Sequence, residues 1–416
     1  MTDAQLFGQR ETQDCVAVAR QFLTHATELE PNLRAFTAID AERLMTQAEA
    51  LDRLPMDQRG HLHGLLFAVK EVYDVKGYVC GWGTPIHSER RPAQDAVSVA
   101  RLRKAGALVA GITVSTEYAI GNIGPTSNPH DLTRTPGASS QGSAAAVGAG
   151  LVSAALGSQT IGSIIRPAAF CGCVGFKPTW GLIDAEGTMP LAQPLDHVGV
   201  ITRDPATMTE FLSSLQPTHC WTRSSKEAFP DVILLEPWYA DPTDPSVTTA
   251  LHAAAEKLAV LGSRIERVSL PPEIGEHEAE IVSTILAYGM AFNHGEDFDR
   301  QGKQMSQRIR DYIVSGRLLS KDKYETALEK RENIAKLLDQ LLGTKLVLAP
   351  ATTGIAPLKR DGTGSRAPQR LWTLTGQPTL TLPFGKDKGL PIGIQLVAAR
   401  GADSLVLAVA NALFED

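Results

Sequence analysis

The chain has 416 residues, of which 43% are hydrophobic and 21% are charged. These fractions are near the averages of globular proteins, which excludes a largely disordered or fibrous chain. The 40 basic and 46 acidic residues give a formal net charge of −6, so the composition provides no reason to expect a basic face for nucleic acid.

The N-terminus and the cysteines indicate the kind of protein to expect. Residues 1–15 contain no basic start followed by an apolar run, so they predict no signal peptide. Five cysteines in a long chain favour buried thiols over a disulfide framework. Cys171 and Cys173 are closer in sequence than zinc-binding pairs usually are, and His61 and His63 are better interpreted as a packed or surface pair. We therefore expect a cytoplasmic protein without a metal or another cofactor.

The first part of the chain alternates helical and strand patterns. Residues 1–55 carry apolar side chains at helical spacing. The apolar runs Leu65–Val69 and Ala107–Ile112 predict two buried strands, and residues 95–105 predict an amphipathic helix between them. This order indicates an α/β fold in which helices cover a largely parallel sheet.

A long uncharged segment follows at residues 135–165. It is long enough to span a membrane, but 12 of its 31 residues are Gly or Ser. Because a lipid-facing helix favours large apolar residues, these small residues indicate a tightly packed interior instead. Within the segment, Ser143–Leu156 is apolar on nearly every side and predicts a helix buried inside the domain.

The pattern is weaker from residue 202 to residue 330 and returns to strands near the C-terminus. A strand is predicted at Val232–Leu235, a helix at Val247–Leu261 and charged helices over 303–342. Later elements are predicted as three strands and a helix: Leu346–Pro350, Thr379–Pro383, Ile392–Val397 and Ser404–Leu413. With no internal repeat and no break in composition, we expect a single sheet built from both ends of the chain.

Common catalytic motifs are absent, including Gly-x-Ser-x-Gly, the phosphate-binding P-loop and His-Glu-x-x-His. Two Gly/Ser-rich loops remain, at residues 137–143 and 158–167. Glycines let backbone N–H groups point into a shared pocket, and a serine becomes a nucleophile when a base is near. No histidine is close in sequence, so Lys70, which closes a buried strand, is the candidate base. The pattern alone still favours tight turns around a core helix over a reactive site.

Four segments between residues 64 and 204 carry a more specific signal. They are GLLFAVKEVYDVKG, DAVSVARLRKAGALVAGITVSTEYA, GPTSNPHDLTRTPGASSQGSAAAVGAGLVSAALG and GSIIRPAAFCGCVGFKPTWG. In this order and spacing they resemble the amidase signature hydrolases, with weaker agreement at the C-terminus. The resemblance implies a single α/β domain whose mixed central sheet is covered by helices on both faces. It implies four parts of that domain: N-terminal helices at 1–60, a signature core at 64–204, a variable substrate-pocket region at 205–330 and a C-terminal part of the same sheet at 331–416.

The resemblance also implies amide hydrolysis by a triad of serine, cis-serine and lysine. Ser163 matches the nucleophile, Ser139 matches the serine that follows a cis peptide bond, and Lys70 matches the lysine. Neutral Lys70 would accept a proton through Ser139 as Ser163 attacks and an acyl-serine intermediate forms. Ser140 is expected to support the loop by hydrogen bonds. The implied oxyanion hole consists of four backbone N–H groups, those of Thr160, Ile161, Gly162 and Ser163.

The sequence departs from the common family pattern at several positions. Gln159 stands where an acid is frequent, and Ile161 and Gln141 stand where glycines are frequent. Arg166 comes one place later than usual, which, together with the short chain, resembles the malonamidase-like branch. In that branch the arginine pairs with a substrate carboxylate, so the resemblance implies that Arg166 anchors such a group. The alternative is an arginine that holds an internal carboxylate.

We therefore expect an amidohydrolase that cleaves the C–N bond of a small amide bearing a carboxylate, without a nucleic-acid or membrane partner. The main alternative is the same triad acting on aryl amides, carbamates or hydrazides, because residues 205–330 contain no readable pocket motif. An A-type subunit of a tRNA-dependent amidotransferase is less favoured, since such subunits are longer and this chain stops at Asp416. A non-catalytic binding module is less favoured because all three triad residues are present. The family often forms homodimers, which the sequence neither supports nor excludes.

Overall fold

The computed structural model describes residues 14–223 and 228–414. The strands of these residues are β1 (Phe36–Ala38), β2 (Leu66–Lys70), β3 (Leu108–Thr113), β4 (Ala154–Gln159), β5 (Val174–Lys177), β6 (His197–Thr202), β7 (Val232–Leu235), β8 (Ile265–Val268), β9 (Leu346–Pro350), β10 (Thr379–Asp387) and β11 (Leu390–Val397).

The helices of the same residues are α1 (Cys15–Leu33), α2 (Ala41–Asp52), α3 (Val97–Lys104), α4 (Gln141–Gly148), α5 (Ile165–Phe170), α6 (Pro205–Leu215), α7 (Pro245–Val260), α8 (Pro272–Gly275), α9 (Glu278–Gln301), α10 (Gln307–Arg317), α11 (Lys321–Leu342), α12 (Ala367–Thr375) and α13 (Asp403–Phe414). Within the described part of the chain, none of them has the length and apolar character needed to cross a membrane.

These strands form one mixed sheet in the order β1-β3-β2-β4-β6-β5-β10-β11-β9-β7-β8. β2 lies parallel between β3 and β4, as the β–α–β pattern predicts. The centre, from β4 through β6 and β5 to β10, is antiparallel, so the prediction of a largely parallel sheet is wrong. Short apolar runs identify strands that are covered on both faces, but they carry no information about strand direction. The single α/β domain with a mixed sheet is confirmed.

Helices cover both faces of this sheet and create two separate cores. Leu66 and Ala68 of β2 pack in the core that contains the apolar residues of α1 and α2. Phe67 and Val69 pack in the larger core on the other face. Because successive side chains of a strand point to opposite faces, cover on both sides explains why β2 is a continuous apolar run.

Most predicted elements are confirmed within a few residues of their ends. The strands predicted at Val232–Leu235 and Leu346–Pro350 have the predicted bounds. Residues 1–13 of the predicted N-terminal helical region lie outside the described residues. The rest of that region contains α1 and α2, but the strand β1 lies between them and includes Phe36, which the helical pattern had counted.

The buried helix predicted at Ser143–Leu156 is wrong in its second half. Helix α4 ends at Gly148, and strand β4 already begins at Ala154. Between them Gly150 adopts a φ of 73°, a conformation that favours glycine, and the chain turns back. Small apolar residues are compatible with a buried helix and with a buried strand, so periodicity alone does not distinguish the two.

Candidate active site

Two parallel strands bring the predicted base close to the two Gly/Ser-rich loops. Lys70 is the last residue of β2, and Ser158 lies near the end of the neighbouring strand β4. In open α/β sheets, ligand sites form outside the carboxyl ends of parallel strands. The first loop reaches the same edge with Ser139 and Ser140, directly before α4.

Lys70 is fully buried and contacts two serine hydroxyls. Its Nζ lies 2.7 Å from Ser139 Oγ and 2.8 Å from Ser158 Oγ. Burial lowers the pKa of Lys70 to about 7, although the carboxyl groups of Glu71 and Asp196 act in the opposite direction. A neutral amine is therefore well populated near pH 7 and can accept a proton from Ser139. The Ala138–Ser139 peptide bond is cis.

Ser163 lies in the turn between β4 and α5, and it lines the same cavity as Ser139. Ser140 joins the two loops, since its N–H donates to the carbonyl of Ser163 at 3.3 Å. Its hydroxyl donates to the carbonyl of Ser158 at 3.2 Å. These bonds fit the supporting role that the sequence predicts for Ser140.

The side chain of Gln159 holds the turn that contains Ser163. Its Oε1 accepts the N–H groups of Ile164 at 2.8 Å and Ile165 at 3.0 Å. Its Nε2 donates to Thr373 Oγ1 at 2.9 Å, and the Thr373 hydroxyl donates to the carbonyl of Ile161 at 2.6 Å. An ionised acid at this position offers acceptors only. The glutamine therefore adds a donor, and the fold uses it to connect the turn to α12.

The same turn presents backbone donors that the fold does not use. Thr160 and Ile161 line the cavity beside Ser163. Within the described part of the chain, the N–H groups of residues 160–163 donate to no side chain and to no carbonyl of another loop or turn. A Cβ on Gly162 would lie 2.5 Å from Gln369 Oε1, so a larger residue here would displace that side chain. Free N–H groups next to a nucleophile are what an oxyanion hole requires.

Arg166 lies beneath the cavity and is only 2% exposed. Its Nη2 donates to the carbonyl of Ala138 at 2.7 Å, and its Nη1 donates to the carbonyls of Gly364 and Ser365 at 3.2 and 3.4 Å. It has no carboxylate partner among residues 14–223 and 228–414, and its Nε is buried without an acceptor. Burial lowers the pKa of Arg166 to about 9.

The cavity that Ser163 lines has a volume of about 360 Å³, at the small end of the usual range for ligand sites. Two further arginines line it: Arg308 from α10 and Arg366 directly before α12. No aspartate or glutamate is among the described residues that line it. The sequence predicted neither arginine. Arg308 in a charged helix has the pattern of a solvated surface residue, and Arg366 belongs to no motif.

A second cavity, of about 670 Å³, shares Thr160 with the first and is also lined by Ser158. Asp196 lines the second cavity and is part-buried. Its carboxylate accepts the Thr160 hydroxyl at 2.6 Å and the N–H groups of Leu191 and Ala192 at 2.8 Å each. Burial raises the pKa of Asp196. This carboxyl group fixes Thr160 at one end of the candidate oxyanion hole.

One group of potential metal ligands occurs in the described part of the chain, away from this site. Cys15, Asp52 and His63 bring their ligand atoms within 4.8 Å of one another. Both Asp52 oxygens, however, accept backbone N–H groups at the start of α1, from Cys15 and Val16. Burial raises the pKa of Cys15 to about 12, which favours a thiol over the thiolate that binds metals. The group therefore joins α1 to α2 and to the loop before β2.

Comparison with known proteins identifies the family of the chain. Residues 17–407 match the family model described as Amidase. The chain belongs to the amidase family. It is an enzyme that acts on amide C–N bonds. An amidase of known crystal structure is 31% identical and has a TM-score of 0.90. The match spans all of this chain and 99% of that amidase.

Other relatives carry more specific names. The A-type subunit of the glutamyl-tRNA(Gln) amidotransferase of Bdellovibrio bacteriovorus is 31% identical over 95% of this chain and 92% of the relative. Another match is a chain in the structure of a vestigial protein complex, described as revealing the evolutionary origins of an s-triazine catabolic enzyme. That chain is 28% identical and has a TM-score of 0.90. The match spans 100% of this chain and 98% of that chain. These amidase relatives do not place the chain in the malonamidase-like branch, which stays a prediction.

Proposed function

We propose that the protein is an amidohydrolase that forms an acyl–Ser163 intermediate with a small amide bearing a carboxylate. The observation that carries the proposal is the position of Lys70. Its Nζ lies 2.7 Å from Ser139 Oγ, and Ser139 lines the same cavity as Ser163. A buried amine whose pKa is lowered to about 7 is a base suited to neutral pH.

The hydrolysis follows from this arrangement. Neutral Lys70 accepts the Ser139 proton while Ser139 accepts the proton of Ser163, and Ser163 Oγ bonds to the amide carbon. The N–H groups of the turn stabilise the oxyanion of the tetrahedral intermediate. The relay then returns a proton to the amide nitrogen, the C–N bond breaks and ammonia or an amine leaves. Water attacks the acyl–Ser163 ester by the same relay and releases the acid.

The positive charge of the cavity supports an anionic substrate. Arg166 is buried at the cavity, and its Nε has no acceptor in the described part of the protein. An unpaired buried guanidinium is costly, and a carboxylate is its usual partner. We therefore propose that Arg166 provides the positive charge for the substrate carboxylate, while its Nη1 and Nη2 hold the surrounding loops.

The activity of an amidotransferase of the A type is the second candidate, because curated relatives with that name are about 30% identical over most of the chain. A zwitterionic amino-acid amide such as glutamine would bring an α-ammonium group to the site. The cavity has three arginines and no carboxylate among its described lining residues, so it lacks a partner for that group. Aryl amides, carbamates and hydrazides also fit the triad but leave the arginines unpaired.

Initial rates on succinamate, butyramide and glutamine test the proposal. Succinamate and butyramide have equal chain lengths and differ in one carboxylate. We expect succinamate to be at least ten times faster than butyramide by kcat/KM, and Ser163→Ala to lose nearly all activity. Ser213→Ala, on α6 and away from the cavity, is the matched control and should keep the rate. Preference for glutamine would favour the amidotransferase activity. Preference for neutral or aryl amides would contradict the proposal that the substrate bears a carboxylate.

A further inference from the structure

The cavity contains more positive charge than one carboxylate neutralises. Arg308 and Arg366 line it together with Ser163, and both are part-buried. Arg308 Nε is buried without an acceptor, as is the Nε of Arg166. Two independent guanidinium groups thus have N–H donors that the described part of the chain leaves unused, and both line the cavity of the candidate triad.

Two other arginines on the same helices form ion pairs. Arg317, on α10 like Arg308, forms an ion pair with Asp299 at 2.7 Å. Arg370, on α12, pairs with Glu278 at 3.0 Å.

The three cavity arginines contrast with these neighbours. Within the described chain, none of Arg166, Arg308 and Arg366 has a carboxylate within 4.0 Å. Burial, and then the charges of Arg366 and Arg308, lower the pKa of Arg166, so the three groups are close enough to repel one another. A ligand with negative charge would relieve this repulsion.

The three arginines also reach the cavity from different elements. Arg166 lies on α5, Arg308 lies on α10 and Arg366 precedes α12. The Tyr312 hydroxyl lies against Arg366, one turn along α10 from Arg308, so α10 connects these two arginines. Arg166 is instead bonded to the carbonyls of Ala138, Gly364 and Ser365.

We propose that Arg308 and Arg366 form a second anion subsite beside that of Arg166, so that the acyl group of the substrate carries two carboxylates. This inference rests on the proposed amide hydrolysis at Ser163 and specifies its substrate class. One carboxylate at Arg166 would leave two guanidinium groups unpaired, whereas a second carboxylate gives them a bidentate acceptor. A cavity of about 360 Å³ corresponds to about a dozen water volumes, enough for a short dicarboxylic acyl group.

A series of amides that differ only in charge tests the second subsite. Butyramide has no carboxylate, succinamate has one, and (carbamoylmethyl)malonate adds a second to the same chain. We expect kcat/KM to rise from butyramide to succinamate. It should rise again, by about ten-fold or more, from succinamate to (carbamoylmethyl)malonate. Arg308→Gln and Arg366→Gln should each remove most of the increase in kcat/KM from succinamate to (carbamoylmethyl)malonate, a loss on the order of ten- to hundred-fold. The ratio of kcat/KM for succinamate to that for butyramide should stay almost unchanged. Arg308→Lys should recover part of the loss, because lysine keeps the positive charge but cannot bind a carboxylate through two parallel N–H groups.

Arg310→Gln is the matched control, since Arg310 lies on the same helix and contacts Gln307 instead of the cavity. Calorimetric binding of ethanetricarboxylate and succinate to the Ser163→Ala protein repeats the comparison without turnover. Tighter binding of the tricarboxylate that depends on Arg308 supports the second subsite. Equal binding, or equal rates on succinamate and (carbamoylmethyl)malonate, overturns it while Ser163-dependent hydrolysis of succinamate still supports the proposed function. If no amide in the series is hydrolysed, the proposed function itself fails.

Discussion

The protonation state of Lys70 is decided by its immediate surroundings. Its amine is buried and meets two hydroxyls at similar distances, Ser139 Oγ at 2.7 Å and Ser158 Oγ at 2.8 Å. A neutral amine has one lone pair, so it accepts a proton from one hydroxyl while it donates to the other. Ser158 therefore orients the lone pair toward Ser139, and it is a positioning residue for the base.

We expect hydrolysis of butyramide to depend on a single group with an apparent pKa of about 7. Burial lowers the Lys70 pKa to that value, so the ammonium form predominates below it and the relay cannot accept a proton. The logarithm of kcat/KM should rise by one per pH unit below about pH 7 and reach a plateau above it. A pH–rate profile measures this, and butyramide adds no titrating group of its own.

Glu71→Gln tests whether Lys70 is the group that produces the rising limb of this pH–rate profile. The Glu71 carboxylate raises the Lys70 pKa, so its removal should shift the limb to lower pH. The glutamine retains an oxygen for the N–H of Ser115, which Glu71 now accepts at 2.6 Å. A rate that is constant from pH 5 to 9, or a limb near the ordinary lysine pKa, would show that Lys70 is not the base.

Residues of the site differed in how far they could be predicted. Lys70, Ser139 and Ser163 occur in a motif with specific spacing. The structure places both serines at one cavity and Lys70 in contact with Ser139. Ser158 was part of the second loop, but its contact with Lys70 depends on the pairing of β2 with β4. The cavity position of Arg308 depends on how α10 packs, which no local pattern encodes.

At the scale of elements, the turn between β4 and α5 connects strand geometry to the nucleophile. Gln159 is the last residue of β4 and accepts two N–H groups at the start of α5. The sequence showed that this position departs from the family pattern. It did not show which groups the side chain binds, because Thr373 is more than 200 residues away in the chain.

Gln159→Leu should destabilise this turn and reduce activity together. The leucine leaves the N–H groups of Ile164 and Ile165 buried without an acceptor, at about 1–3 kcal/mol each. We expect the free energy of unfolding to fall by about 2–5 kcal/mol, and kcat to fall at least ten-fold at temperatures where the variant is folded. Urea unfolding and initial rates measure the two effects.

Gln21→Leu is the comparison for this variant, because Gln21 is an exposed glutamine on the surface of α1. Its unfolding free energy should change by less than about 0.5 kcal/mol. If Gln159→Leu were as stable and active as this control, the turn would be held by other contacts.

At the scale of the whole molecule, both halves of the chain contribute to one sheet. Strand β5 from the first half pairs with β10 from the second, with Phe176 opposite Leu380. The sequence predicted a sheet built from both ends because strand patterns recur after residue 345. It did not predict the strand order, since pairing between β5 and β10 depends on the packing of the helices between them.

Phe176→Ala tests whether this junction makes the molecule a single cooperative unit. Phe176 is fully buried at the centre of the sheet, so its loss should lower the free energy of unfolding by about 3–5 kcal/mol. Phe292→Ala, at a residue that is 77% exposed, should cost less than about 0.5 kcal/mol.

Unfolding in urea, followed by tryptophan fluorescence and by far-ultraviolet circular dichroism, should give coincident curves that shift together. Because the junction strands belong to the same sheet as β2 and β4, loss of activity should follow the same curve. Separate transitions in Phe176→Ala would instead show that the two halves unfold independently.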